Sequence, residues 1–201
     1  MSRILPTAFL PAAAVLFFVF TSAFAVLVPA SITEAQAPNS QQPGGELKIL
    51  PPPGPARGAP MPEFSWTALD GSVVTPESLA GKVVLLDFWA SWCVPCQRAI
   101  PHLKELDRRY PEEVFQIVGV NVDEELKSLQ GWIATYGITW PQVWDEGYKI
   151  VQPLQIRDMP TYILLDPQGR VAYSTSGYNP TTKKLLDYHV SNAVQRAQAS
   201  K

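Results

Sequence analysis

The two cysteines of this 201-residue chain, Cys93 and Cys96, stand three positions apart in the stretch Phe88-Trp89-Ala90-Ser91-Trp92-Cys93-Val94-Pro95-Cys96. A thiolate is the attacking form of sulfur, and two thiols within bonding reach can open a foreign disulfide and then close on each other. A stabilising staple is the plainer use of a cysteine pair, but a bridge around two residues removes little freedom from the unfolded chain. A structural zinc site needs four ligands, and beyond this pair and the carboxylates the sequence offers only His102 and His189. The pattern points to thiol-disulfide exchange, with no metal and no prosthetic group required.

Such a pair works only if the surrounding elements present it. Val83-Val84-Leu85-Leu86-Asp87-Phe88 is a continuous apolar run behind Gly81-Lys82, the pattern of a strand buried on both faces. Ile100, Leu103, Leu106 and Tyr110 recur at helical spacing and Pro111 ends the run, which predicts a helix starting around Cys93. The first sulfur then sits at a helix N-terminus, where unpaired N–H groups and the positive dipole end favour a thiolate. Cys93 is therefore the candidate nucleophile, and Cys96, one turn on and more interior, the resolving thiol. Pro95 fits the first turn, where its missing N–H costs no bond. Asp87 stands out as a carboxylate inside an apolar strand.

The rest of the folded part alternates strands and helices. Phe64 to Leu69 alternates, Asp70-Gly71 turns and Ser72-Val73-Val74 returns, a hairpin pattern. Phe115 to Val120 reads as a second buried strand; Leu126, Leu129, Ile133 and Tyr136 form a helical face closed by Gly137. Tyr162 to Asp166 and Val171 to Thr175 flank the turn Asp166-Pro167-Gln168-Gly169, and Thr181 to Gln198 reads as a closing helix. This order describes an α/β fold with a mixed sheet. His102 is expected on a half-exposed helix face and His189 facing solvent. Trp132, Trp140 and Trp144 are expected in the core rather than on a partner-facing patch, and Asp123-Glu124-Glu125 as a solvated helix start.

Three segments are expected: a signal peptide or membrane anchor over 1–33, a Pro/Gly-rich linker over 34–61, and a folded domain over 62–198. Arg3 precedes apolar stretches interrupted by few polar residues. Ala8 to Val28 is long enough to cross a bilayer, while Ala23-Phe24-Ala25 also offers a cleavage pattern, so anchor and cleaved signal both stay open. Either reading delivers the remainder across a membrane. Residues 34–61, with Pro51-Pro52-Pro53-Gly54-Pro55, show no sustained apolar period. A net charge of −2, with 16 Lys and Arg against 18 Asp and Glu, leaves no basic stripe for nucleic acid.

Asp87 through Cys96 resembles the active-site segment of thioredoxin-fold proteins. With the N-terminal apolar segment, the lead-in from Pro62-Glu63-Phe64 to Gly81-Lys82-Val83-Val84-Leu85-Leu86, and Met159-Pro160-Thr161, the chain resembles the TlpA/ResA-type family of exported thiol-disulfide oxidoreductases over about Pro60 to Lys184. The resemblance implies a thioredoxin-like fold: a central four- or five-stranded sheet flanked by helices, an N-terminal β-hairpin extension and a helical insertion around Asp123 to Tyr148. It implies a cis Pro160 facing the dithiol, which turns the Met159 backbone toward an incoming substrate segment. Trp92, Met159, Pro160 and Thr161 become the substrate-docking set, and Pro101 a kink in the helix. Asp87 matches the buried acid behind the cysteines, its pKa raised by desolvation so that it can exchange a proton with Cys96.

The same resemblance implies disulfide-bonded exported proteins as substrates, a membrane-embedded thiol carrier as electron donor, and a place in cytochrome c or oxidase maturation. One position departs from it. Members resembling ResA carry a Glu three residues after the second cysteine, where this chain has Ala99, and this weakens the tie to cytochrome c maturation. Val94-Pro95 supplies no side-chain donor to a Cys93 thiolate, which tilts the reading toward a reductant. Two other classes stay open. A Cu(I)-thiol carrier or chaperone for oxidase assembly would use the same pair as ligands. A thiol peroxidase would expect Thr-x-x-Cys, whereas Trp92 directly precedes Cys93.

Overall fold

The computed structural model describes residues 52–200. The signal or anchor expected over 1–33, and the linker as far as residue 51, lie outside the described residues. Among the described residues, no helix is long and apolar enough to cross a membrane. In chain order the elements are β1 (Trp66–Thr67), β2 (Val73–Val74), α1 (Pro76–Leu79), β3 (Val83–Trp89), α2 (Val94–Arg109), β4 (Phe115–Asn121), α3 (Leu126–Tyr136), β5 (Gln142–Trp144), β6 (Thr161–Leu165), β7 (Val171–Ser176) and α4 (Pro180–Ala199).

Five strands form one mixed sheet in the order β5-β4-β3-β6-β7, with β3, β4 and β5 parallel and β6 and β7 antiparallel to their neighbours. The two-stranded hairpin of β1 and β2 is a separate small sheet whose end is tied to β5, by the antiparallel bridge Ala68–Val143 and by Leu69 N–H donating to Gln142 O at 2.8 Å. This is the expected α/β architecture, with shorter hairpin strands. The expected helical insertion holds both α3 and an edge strand, β5. Three residues are too few to show a strand period in sequence, and β5 exists because β4 offers it an open edge.

All seven residues of β3 are buried, because β4 and β6 occupy both its edges and other layers cover both its faces. Which pleat faces the helices follows from the crossovers, two side-chain contacts and the strand pairing. Crossovers of one hand put α2 and α3 on the same face of the sheet. α4 joins α2 there, through His102 Nε2 and Asp187 Oδ1 at 3.2 Å. Tyr173 of β7 stacks on His189 of α4 with ring centroids 3.9 Å apart, and Tyr173, Leu164 and Leu85 are successive cross-strand partners. Leu85, Asp87 and Trp89 therefore face the helices. Leu86 faces the other layer, where its partner Ile163 meets Gly54.

Several local expectations change. Gly58 N–H donates to Val171 O at 2.8 Å and Met61 N–H to Gly169 O at 3.0 Å, so the last residues of the stretch read as linker pair with the β6-β7 hairpin. His102 is buried rather than half-exposed. It shares the inward stripe of α2 with Ala99, Leu103 and Leu106, and burial pushes its pKa down against the pull of Asp187. His189 is only half-exposed, held by its stack on Tyr173. Trp140 is buried, and Trp132 and Trp144 pack partly buried against the core.

Gly119 pairs with Asp87 on one side and Gln142 on the other. A Cβ added there would run into the Gln142 amide, which accepts the Trp89 indole N–H at 2.9 Å. Gly119→Ala should destabilise the fold by about 1–3 kcal/mol, read as a lower urea midpoint at unchanged slope. An unchanged midpoint would show that the amide is free to move aside.

Candidate active site

The chain leaves the sheet at Trp89, turns through residues 90–92 and enters α2 with Cys93 as its N-cap. Cys96 N–H donates to Cys93 Sγ at 3.2 Å, and Gln97 N–H donates to the Cys93 carbonyl at 3.1 Å. The first sulfur is thus the acceptor for an otherwise unpaired helix N–H, the environment that favours a thiolate. Cys93 and Cys96 are joined as a disulfide with Cα atoms 5.2 Å apart. In this form Cys93 is 5% exposed and Cys96 3%, so helix position rather than accessibility distinguishes the two sulfurs. Trp92 at 65%, Val94 at 50% and Pro95 are exposed beside them.

Asp87 lies two residues before the end of β3 on the helix-facing side, and α2 folds back over that side. A strand advances about 3.3 Å per residue and a helix about 1.5 Å, which sets Asp87 beneath the first turns of α2. It is buried, its Oδ1 has no hydrogen-bond partner, and burial pushes its pKa up to about 7. Directly across on β6 stands Tyr162, buried with an unpartnered hydroxyl. Burial and the nearby Asp87 charge raise the Tyr162 pKa. Two polar groups thus face one another in an apolar layer. Sequence reasoning passed over Tyr162, since an aromatic residue in a strand carries no signal of its own.

β6 runs antiparallel to β3, with Thr161 opposite Phe88, so β6 begins where β3 ends. That register brings the cis Met159-Pro160 peptide to the edge of the sheet that bears the dithiol. Met159 is half-buried and packs on the core, and the Pro160 carbonyl accepts Gly177 N–H at 2.7 Å. Thr161 is fully buried and its hydroxyl donates to Asp158 O at 2.7 Å; it holds the turn and presents no group outward. Ala99 is buried as well.

Asp123, expected in a solvated helix start, is instead buried, with Asn121 beside it at the end of β4. The available signal was their place after a strand, since open α/β sheets gather functional groups at the carboxyl ends of their strands. Among the described residues, no group of three or more His, Cys, Asp or Glu side chains is placed to hold a metal ion. A cavity of about 520 Å³, lined by Arg57, Gly81, Pro167 and Arg196 among others, sits by the start of β3, away from the cysteines.

Residues 56–194 match the Redoxin family. The thiol-disulfide oxidoreductase ResA of Bacillus thuringiensis is 32% identical over 130 residues, covering 65% of this chain and 74% of that protein. The chain belongs to the ResA-like thiol-disulfide oxidoreductases. The ResA of Bacillus subtilis is 28% identical over 133 residues, covering 66% of this chain and 74% of that protein. A thiol:disulfide interchange protein of the thioredoxin family from Chlorobium tepidum matches with TM-score 0.59 and 29% identity, over 70% of this chain and 99% of that one. The thioredoxin domain of a Bacteroides vulgatus thiol-disulfide oxidoreductase matches with TM-score 0.59 and 25% identity, over 68% and 99%. The ResA-like chain is thus an oxidoreductase with a thioredoxin-like fold.

Asp87 gives a pH dependence of definite sign. The folded protein keeps its proton to about pH 7, while the unfolded chain releases it near 3.8. Between those values the folded state binds more protons, so stability falls as pH rises and the loss is complete above about 7. At roughly 1.4 kcal/mol per pH unit, oxidised Asp87→Asn should exceed wild type by up to about 4 kcal/mol at pH 8 and by little at pH 4. Urea titrations at the two pH values check this, and an equal difference at both would contradict it.

Proposed function

We propose that this oxidoreductase acts on the far side of a membrane as a reductant of disulfides in exported proteins. The observation that carries the chemistry is Cys93 at the N-cap of α2, its sulfur accepting the Cys96 N–H. The far-side location is supported by the apolar segment within residues 1–33, acting as anchor or as cleaved signal. Reductive direction is supported by Val94-Pro95, which brings no side-chain donor to a Cys93 thiolate.

The reaction runs in two exchanges. Cys93 thiolate attacks one sulfur of the substrate disulfide, forming a mixed disulfide and releasing the other sulfur as a thiolate that takes up a proton. Cys96 then gives its proton toward Asp87, whose raised pKa lets it serve near neutrality. The Cys96 thiolate attacks Cys93 Sγ and expels the second substrate sulfur as a thiolate, which takes up a proton from solvent as Asp87 gives its own back to solvent. The substrate gains two electrons and two protons, and the enzyme is left as the Cys93-Cys96 disulfide. Trp92 and the Met159-Pro160 segment flank the dithiol as the docking surface. A membrane-embedded thiol carrier supplies two electrons to return the enzyme to its dithiol. Proteins of cytochrome c or oxidase assembly are the client class that the ResA likeness brings forward, and Ala99 in place of the family's Glu weakens the tie to cytochrome c maturation.

Cys93→Ser should abolish turnover of a disulfide substrate, at least about a thousandfold, the scale for loss of a nucleophile. Cys96→Ser should accumulate adducts that dithiothreitol releases, visible on non-reducing gels of the compartment beyond the membrane. Absence of such adducts in the Cys96 variant, or their appearance in the Cys93 variant, would reverse the assigned order of attack.

A further inference from the structure

The turn that joins β3 to α2 is held by side chains from outside it. Both backbone polar groups of Ser91 are occupied: its N–H donates to Asp123 Oδ1 at 2.9 Å, and its carbonyl accepts from Gln97 Nε2 at 2.9 Å. Asp123 is 3% exposed. Its Oδ2 accepts from Asn121 Nδ2 at 3.2 Å, while Asn121 Oδ1 accepts Asp123 N–H at 2.9 Å. Trp144 Nε1 closes the cluster on the Asp123 carbonyl at 2.8 Å. Val122 N–H donates to Trp89 O at 3.0 Å, so pairing between the β3 and β4 ends reaches the residue just before Asp123. Among the described residues, no basic side chain lies within ion-pairing distance of Asp123.

A carboxylate buried without a counter-charge is costly unless donors are aimed at it. Here the donors belong to the active-site turn and to the end of the neighbouring strand. We propose that Asp123 is a positioning residue for disulfide exchange: its carboxylate holds the 90–92 turn in the form that sets Cys93 at the N-cap of α2. Ser91 stands two residues before the nucleophile, and Cys93 N–H itself donates back to Ala90 O at 3.2 Å. Release of the Ser91 N–H frees the turn to rotate and carries the sulfur out of line with its helix. Attack geometry is sensitive to displacements of about 1 Å.

The test compares side chains of equal size. In Asp123→Asn either the Ser91 N–H or the Asn121 amide meets a second donor, so one bond of the clamp is lost. In the exchange Asn121→Asp with Asp123→Asn, every donor again meets an acceptor and the cluster keeps one charge. Asp145 is the control: it is buried, and its oxygens accept the N–H groups of Ile150 and Val151 at 2.8 and 2.9 Å, but its side chain makes no bond to residues 90–96.

Turnover of insulin disulfides, recycled with dithiothreitol, would be measured at a temperature where circular dichroism shows each protein fully folded. Asp123→Asn should lose at least about tenfold in kcat/KM, the scale of one hydrogen bond to a charged group. Asp145→Asn should lower the melting temperature yet stay within twofold of wild-type turnover, and the exchange variant should recover to within threefold. Equal rates for Asp123→Asn and Asp145→Asn, or no recovery in the exchange, would overturn the proposal. Should Asp123→Asn fail to fold, Gln97→Ala loosens the same turn from the α2 side without touching a buried charge. It should slow turnover about threefold, as one neutral hydrogen bond would, and an unchanged rate would then count as the overturning result.

Discussion

Enclosure of β3 on both edges and both faces is the constraint from which the site follows. A strand with β4 on one side and β6 on the other has its backbone groups committed along its length. The chain can leave only at the end, and a parallel partner requires a crossover that returns over the sheet. The turn after Trp89 must therefore lead into a helix whose N-terminus points at the carboxyl edge of the sheet, and Cys93 occupies its cap. The antiparallel β6 begins at this same edge, which is how Met159-Pro160, 63 positions or more down the chain, comes to lie beside the cysteines.

Three buried aspartates near this region meet three different fates. Asp123 and Asp145 each accept two hydrogen bonds on their carboxylates, and both tie down chain that carries no regular pairing of its own. Asp87 has an oxygen with no partner, in the layer between the sheet and the helices. Donors stabilise the charged form and apolar enclosure the neutral one. The same side chain thus serves as a tether in two places and as a proton-holding group in the third. Tyr162, opposite Asp87 and equally unpartnered, leaves a second polar atom in that apolar layer without a donor or acceptor.

Among the described residues, neither cysteine lines any of the three cavities found. Their two sulfurs are covered, and Trp92, Val94 and Pro95 are the exposed residues next to them in the chain. A small substrate gains its affinity from enclosure, whereas an extended chain can lie across an apolar rim and pair with backbone. This geometry suits a macromolecular disulfide and agrees with the protein's membership among the thiol-disulfide oxidoreductases.

Local spacing carried a large part of this in advance. The fully apolar run at Val83 to Phe88, the helical repeat from Ile100 to Tyr110, and the cysteine pair between them specify a buried strand, a helix and a sulfur at its start, because each is an interaction among neighbours in the chain. The resemblance around Met159-Pro160-Thr161 supplied what spacing could not, since a proline in a loop has many uses. Strand order, the edge strand β5, the burial of His102 and the inward turn of Asp123 were decided only by tertiary structure. Each depends on a partner far along the chain: β4 for β5, Asp187 for His102, Ser91 for Asp123. A polar residue written among others reads as solvated until the fold brings it a donor, and that donor is invisible from its own surroundings in the sequence.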